Sequence, residues 1–165
     1  MEKENFAKSS EDGRHFRLMQ LAGKWEGIVR TWFEPGILAD ESKISGEFRP
    51  ILGNRFILHE YNYELQGKPH EAVSITGFSI PEQKYQTAWI DSFHNGTSIM
   101  FSDGSEKGNG FSVLGSYGGV DFEERWGWRT EIDIIDKDNA VITAYNITPQ
   151  GDEARAVEIV YKRIK

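Results

Sequence analysis

From Gly23 to the C-terminus, hydrophobic and polar side chains alternate with a period of two, in runs of strand length separated by turn residues. The runs fall at 24–32, 42–51, 55–65, 71–79, 85–93, 97–103, 111–117, 124–135, 140–148 and 154–164, which predicts about ten strands. Each break carries Gly, Asn, Asp or Pro, among them Glu34-Pro35-Gly36, Gly53-Asn54, Gly67-Lys68-Pro69 and Gly108-Asn109-Gly110, because turns need positive or fixed φ angles or side chains that bond their own backbone. Links this short force consecutive strands to run antiparallel, since a parallel crossover needs about a dozen residues or more. The stretch 103–110 reads as a flexible hairpin loop. Before the strands, Leu18 and Leu21 stand three apart in 16–21, enough for a short helix that Gly23 ends. The expected organisation is a flexible tail over 1–15 and one barrel domain over 16–165.

The alternation also assigns faces. Trp126, Trp128, Ile132 and Ile134 share one side of the eighth strand, with Arg125, Arg129, Glu131 and Asp133 on the other. Val157, Ile159 and Tyr161 oppose Glu158 and Lys162 in the last strand, and Val141, Tyr145 and Ile147 are the apolar set of the ninth. In the fifth strand Tyr85, Thr87 and Trp89 share their face with Asp91, so an inward Trp89 brings a carboxylate inside. The third strand offers two choices: Phe56 and Leu58 with Glu60 and Asn62, or Ile57, Tyr61 and Tyr63 with His59. Either choice places a polar side chain in the interior, where a water-filled or ligand-filled cavity would satisfy it.

Composition narrows the function classes. Aromatic residues make up 13% of the chain and glycine occurs 17 times, which favours strands and tight turns over helices. The net charge of −7 argues against nucleic-acid binding, which needs a clustered basic face. No apolar run approaches the roughly 18–20 residues that cross a bilayer. The N-terminal residues lack the apolar core of a secretory signal, so the expected compartment is the cytoplasm. With no cysteine there are no disulfides, thiolate nucleophiles or sulfur-ligated metals. The four histidines, His15, His59, His70 and His94, show no metal-ligand spacing, and no nucleophile elbow or phosphate loop is present. A metal site and a catalytic signature are therefore not expected.

Leu21-Ala22-Gly23-Lys24-Trp25-Glu26-Gly27 resembles the opening strand of the calycins, the superfamily that takes in lipocalins and fatty-acid-binding proteins. That resemblance implies an up-and-down β-barrel in which a basic residue of the last strand packs over the first strand's tryptophan. Gly23, Trp25 and Arg163 would be the structural residues concerned, with Arg163 stacking on Trp25 and bonding nearby backbone. The order of Phe48-Arg49-Pro50-Ile51-Leu52-Gly53-Asn54-Arg55-Phe56, Trp89-Ile90-Asp91 and Tyr161-Lys162-Arg163 looks like the bacterial domain-of-unknown-function family 1579, a calycin-like group. Gly23-Lys24-Trp25-Glu26-Gly27 also resembles part of the nitrobindin signature, whose barrels bind haem through a late histidine. Here the last histidine is His94 and no later strand supplies one, so no cofactor, haem included, is expected.

The expected fold is thus all-β, a calycin-like antiparallel barrel with a short N-terminal helix. The expected function is binding of a small, partly apolar molecule in the barrel by Glu60, Trp89, Asp91, Trp128 and Tyr145. Two alternatives remain open. One is an enzyme with an acid–base pair centred on Asp91, formed with Glu60 or His59. The other is a packed barrel that acts as a homodimer or partner protein through exposed aromatics such as Trp32 and Phe33, so both monomer and homodimer are admitted.

Overall fold

The computed structural model describes residues 5–121 and 123–165. Two short helices, α1 (Phe6–Asp12) and α2 (Arg14–Met19), precede ten strands: β1 (Gly23–Glu34), β2 (Ile37–Ile51), β3 (Phe56–Leu65), β4 (Lys68–Ser79), β5 (Lys84–Asp91), β6 (Met100–Lys107), β7 (Gly110–Gly118), β8 (Arg125–Asp136), β9 (Asn139–Ile147) and β10 (Glu153–Arg163). Every strand pairs antiparallel with its sequence neighbours, and β1 pairs with β10, which closes the sheet into an up-and-down barrel. Closure removes the sheet's edges, and the ten predicted strands correspond one to one with those observed.

Two expectations are corrected at the level of elements. Within the tail expected over 1–15, residues 1–4 lie outside the described residues, but Phe6–Asp12 is helical, with the Asn5 side chain accepting from the Lys8 amide as an N-cap. Ser9 and His15 are buried and hydrogen-bonded to each other, 2.8 Å apart, which ties α1 to α2. The stretch expected to be a flexible loop over 103–110 is mostly strand, because β6 and β7 stay in register from Ser102↔Gly115 to Lys107↔Gly110. Its alternation is hidden by small polar residues, Ser, Asp, Gly and Glu, which carry no apolar signal.

The helices sit at the barrel end where β1 begins. Leu18 and Leu21 are fully buried there, and the Leu21 carbonyl accepts from the Trp25 indole N–H at 2.8 Å. Arg163 leaves the same end of β10 with its guanidinium carbon 4.3 Å from the centre of the Trp25 ring. Its nitrogens donate to the carbonyls of Lys137, Ala22 and Gln20, so one side chain ties the segment before β1 to the β8–β9 turn. Gly23 makes this possible: its φ is +128°, and a β-carbon there would lie 2.6 Å from Arg163 Nη1.

Candidate functional site

Inward positions of all ten strands build the barrel interior. β3 turns Ile57, His59, Tyr61 and Tyr63 inward, and all four are buried. This leaves Phe56, Leu58, Glu60 and Asn62 outside, so the strand resolves against Glu60. Its side chain is 54% exposed, and the carboxylate pairs with Arg49 at 3.2 Å on the outer surface. Apolar content decides the register, since three large side chains gain burial with His59, whereas the other face would bury a carboxylate and an amide.

The ninth strand is reversed in the same way. Ala140, Ile142 and Ala144 face inward, and Tyr145 stands outside beneath Arg129, whose guanidinium carbon is 4.6 Å from its ring centre. Here the sequence pattern misleads because the inward residues are small and the outward face carries the bulkier apolar set. Glu60 and Tyr145 are therefore not in the interior. Trp89, Asp91 and Trp128 are, as part of a cavity of about 80 Å³ enclosed by the barrel.

Asp91, at the end of β5, is only 5% exposed and is satisfied entirely by the protein. Its Oδ2 accepts from the Tyr63 hydroxyl at 2.7 Å, and its Oδ1 accepts from the backbone amides of Phe93 and His94. The carboxylate thus pins the start of the β5–β6 loop. Burial, with the adjacent Asp91 charge as a further cause, holds the Tyr63 hydroxyl well above its ordinary range and fixes it as a donor. No Glu60–Asp91 pair is assembled, because the two side chains point to opposite sides of the sheet.

Next to it runs an aromatic stack. His59 lies between Phe48 and Tyr61, with ring centres 3.9 and 4.2 Å away, and its Nε2 is 2.9 Å from the Tyr161 hydroxyl. Burial pushes this imidazole down to about 3, so it is neutral in the folded barrel. Tyr61 accepts from the Trp89 indole N–H at 2.9 Å, which fixes Trp89 against Trp128 with ring centres 5.6 Å apart.

His94, which spacing did not single out, stands over this pair from the β5–β6 loop, 5.8 Å from Trp89 and 5.4 Å from Trp128. Burial lowers its pKa, against the pull of Asp91. Trp89, His94, Met100 and Trp128 line the interior and also a second hollow of about 200 Å³ at the barrel end away from the helices. That outer hollow includes Trp32, Phe33 and Tyr117. Trp32 is capped by Arg155 at 4.5 Å, and Phe33 is 52% exposed beside Phe93. The inward hydroxyls Ser74, Thr76, Thr87, Ser102 and Thr130 also line the interior. Their signal was present in the alternation, as small polar residues sharing faces with buried aromatics.

Among the described residues, no group of three or more His, Asp or Glu side chains is placed to hold a metal ion, and no helix is long and apolar enough to cross a membrane.

A closed ten-stranded antiparallel barrel with an interior cavity and one end plugged by helices is consistent with a calycin-like barrel. The chain belongs to the family described as Protein of unknown function (DUF1579), whose family model matches residues 10–163. Among solved structures it is similar to Rv2717c from M. tuberculosis, at 16% sequence identity and a TM-score of 0.60, over 90% of this chain and 95% of that one. At that identity the likeness shows the fold alone. A protein with unknown function from the DUF3598 family of Nostoc punctiforme aligns over 93% of this chain and 100% of its own, at 7% identity and a TM-score of 0.27. No curated protein matches the chain.

Proposed function

We propose that the protein binds a small, partly apolar molecule inside its barrel, admitted at the end away from the helices past Trp89, His94 and Trp128. One observation carries this reading: Trp89, His94, Met100 and Trp128 line both the interior cavity and the outer hollow, so the two spaces adjoin across one largely aromatic set of side chains. Trp89 and Trp128 supply the apolar walls of the neck, and Asp91 holds the loop that carries His94 over it. The interior of about 80 Å³ is smaller than the roughly 150 Å³ apolar cavity that admits benzene, so a ring-sized molecule must displace side chains of the neck as it enters.

Native mass spectrometry of protein purified from its own host tests the reading. Binding predicts a bound mass of a small organic molecule that is lost on denaturation. A chain that is ligand-free in every preparation, and stays so after incubation with small neutral aromatics, would overturn it.

A further inference from the structure

We propose that the molecule held in the barrel is uncharged and carries a hydroxyl or carbonyl group along one edge of an otherwise apolar body. This rests on the binding reading above and narrows its ligand class. The interior has two unlike walls. On one, Thr76, Thr87 and Ser102 are successive cross-strand partners on β4, β5 and β6, with Ser74 one inward position away on β4. In a ring of ten strands β5 stands opposite β10, and the strands around β10 present Val29, Ile142, Ala144, Val157 and Ile159, with Thr31 on β1 the one hydroxyl among them. A molecule lying between these walls meets a row of hydroxyls on one edge and a surface of carbon broken by a single hydroxyl on the other.

The hydroxyl wall has unused capacity. Thr76 and Thr87 bond each other at 3.0 Å, but among the described residues Ser74, Ser102 and Thr130 have no side-chain hydrogen-bond partner. Gly115, the cross-strand partner of Ser102, leaves the space its hydroxyl occupies, because a β-carbon there would collide with Ser102 Oγ. Hydroxyls that line a cavity without protein partners are completed by water or by a ligand's own polar atoms.

Charge is excluded by what surrounds the cavity. Among the described residues no Lys or Arg lines it, so an anion would find no counter-charge. The Asp91 carboxylate is already engaged by three donors, so an ammonium group would find no free acceptor charge there. His59 is stacked and neutral between Phe48 and Tyr61.

The test uses four probes of nearly equal size: benzyl alcohol, toluene, benzoate and benzylammonium, titrated at pH 7 and followed by tryptophan emission. The expected order is benzyl alcohol tightest, toluene about tenfold weaker for one lost hydrogen bond, and the two ions weaker still. In Ser74→Ala combined with Ser102→Ala and Thr130→Val, toluene binding should hold while benzyl alcohol falls towards the toluene level. None of the three substitutions removes a hydrogen bond within the protein, so the fold should survive, as circular dichroism can verify. Benzoate or benzylammonium matching the alcohol, toluene matching it, or an alcohol preference that survives the triple substitution undiminished would overturn the ligand class and leave the binding reading standing. If none of the four binds, both are overturned.

Discussion

Trp25 and Arg163 are direct cross-strand partners on β1 and β10, and the arginine covers the tryptophan ring at 4.3 Å where the barrel closes. The same guanidinium donates to carbonyls before β1 and in the β8–β9 turn, so it joins the first and last strands to the plug. Charge-assisted hydrogen bonds contribute about 1.5–3 kcal/mol each at most, and a partly exposed cation–π contact about 1. Arg163→Ala should therefore lower stability by about 2–4 kcal/mol, read as a shift in urea midpoint. Arg163→Lys keeps the charge but has no planar fork to span three carbonyls, and should recover less than half of the loss.

Asp91 and Tyr63 provide a second test, of a carboxylate that organises a loop. In Asp91→Asn the amide cannot accept from both the Tyr63 hydroxyl and the two backbone N–H groups, which leaves a buried donor unmatched at a cost of about 1–3 kcal/mol. Hydrogen exchange at the Phe93 and His94 amides should quicken in step. Adding Tyr63→Phe removes the unmatched hydroxyl and should return part of the stability, so the two substitutions are expected to be clearly non-additive. Additive losses would mean that the pair does not act as a unit.

The barrel was legible because alternation, turn chemistry and the Gly23-x-Trp25 opening with Arg163 near the end are all local or pairwise features. Site residues were legible only where one face was clearly more apolar. Trp89 brought Asp91 inside by strand geometry alone, and Trp128 was unambiguous. On β3, Glu60 and His59 lay on faces that each held aromatic or aliphatic residues, and only the partners across β2 and β4 decide between them. On β9, Tyr145 drew the apolar label to the outer face because two inward positions are alanines. His94 sits in a loop with no period, so its place over Trp89 and Trp128 follows from the Asp91 hydrogen bonds, which no sequence pattern encodes.

Gly115 on β7 faces the cavity, and its missing side chain has a purpose that substitution exposes. A β-carbon there would overlap Ser102 Oγ and lie 2.9 Å from the Phe101 carbonyl oxygen and 3.1 Å from Met100 Cγ. The serine can rotate, but the backbone oxygen cannot move without shifting β6. Gly115→Ala should therefore cost about 1–3 kcal/mol, as overpacking of a filled wall does, despite alanine's better conformational entropy. A thermal or urea unfolding curve measures it, and an unchanged midpoint would show that β6 yields freely.

His59 sets a pH dependence whose sign follows from its burial. Its folded-state value is about 3 against an ordinary 6.5, so between these limits the unfolded chain binds a proton that the barrel does not. Stability is then fully present above about pH 6.5 and is lost as the pH falls towards 3, with a slope of up to about 1.4 kcal/mol per pH unit from this residue. His94, also lowered by burial, adds to the loss in the same direction. Carboxylates titrate in the same range, but they cancel when two variants are compared. The measurement is the difference in urea-derived stability between the native chain and His59→Phe from pH 7 to pH 4. Phenylalanine fits the stack between Phe48 and Tyr61, though it leaves the Tyr161 hydroxyl unpaired and so lowers stability at pH 7. The variant's curve should nonetheless be flatter, and the two should converge as the pH falls. Parallel curves would mean that His59 takes up its proton inside the folded barrel as readily as in water.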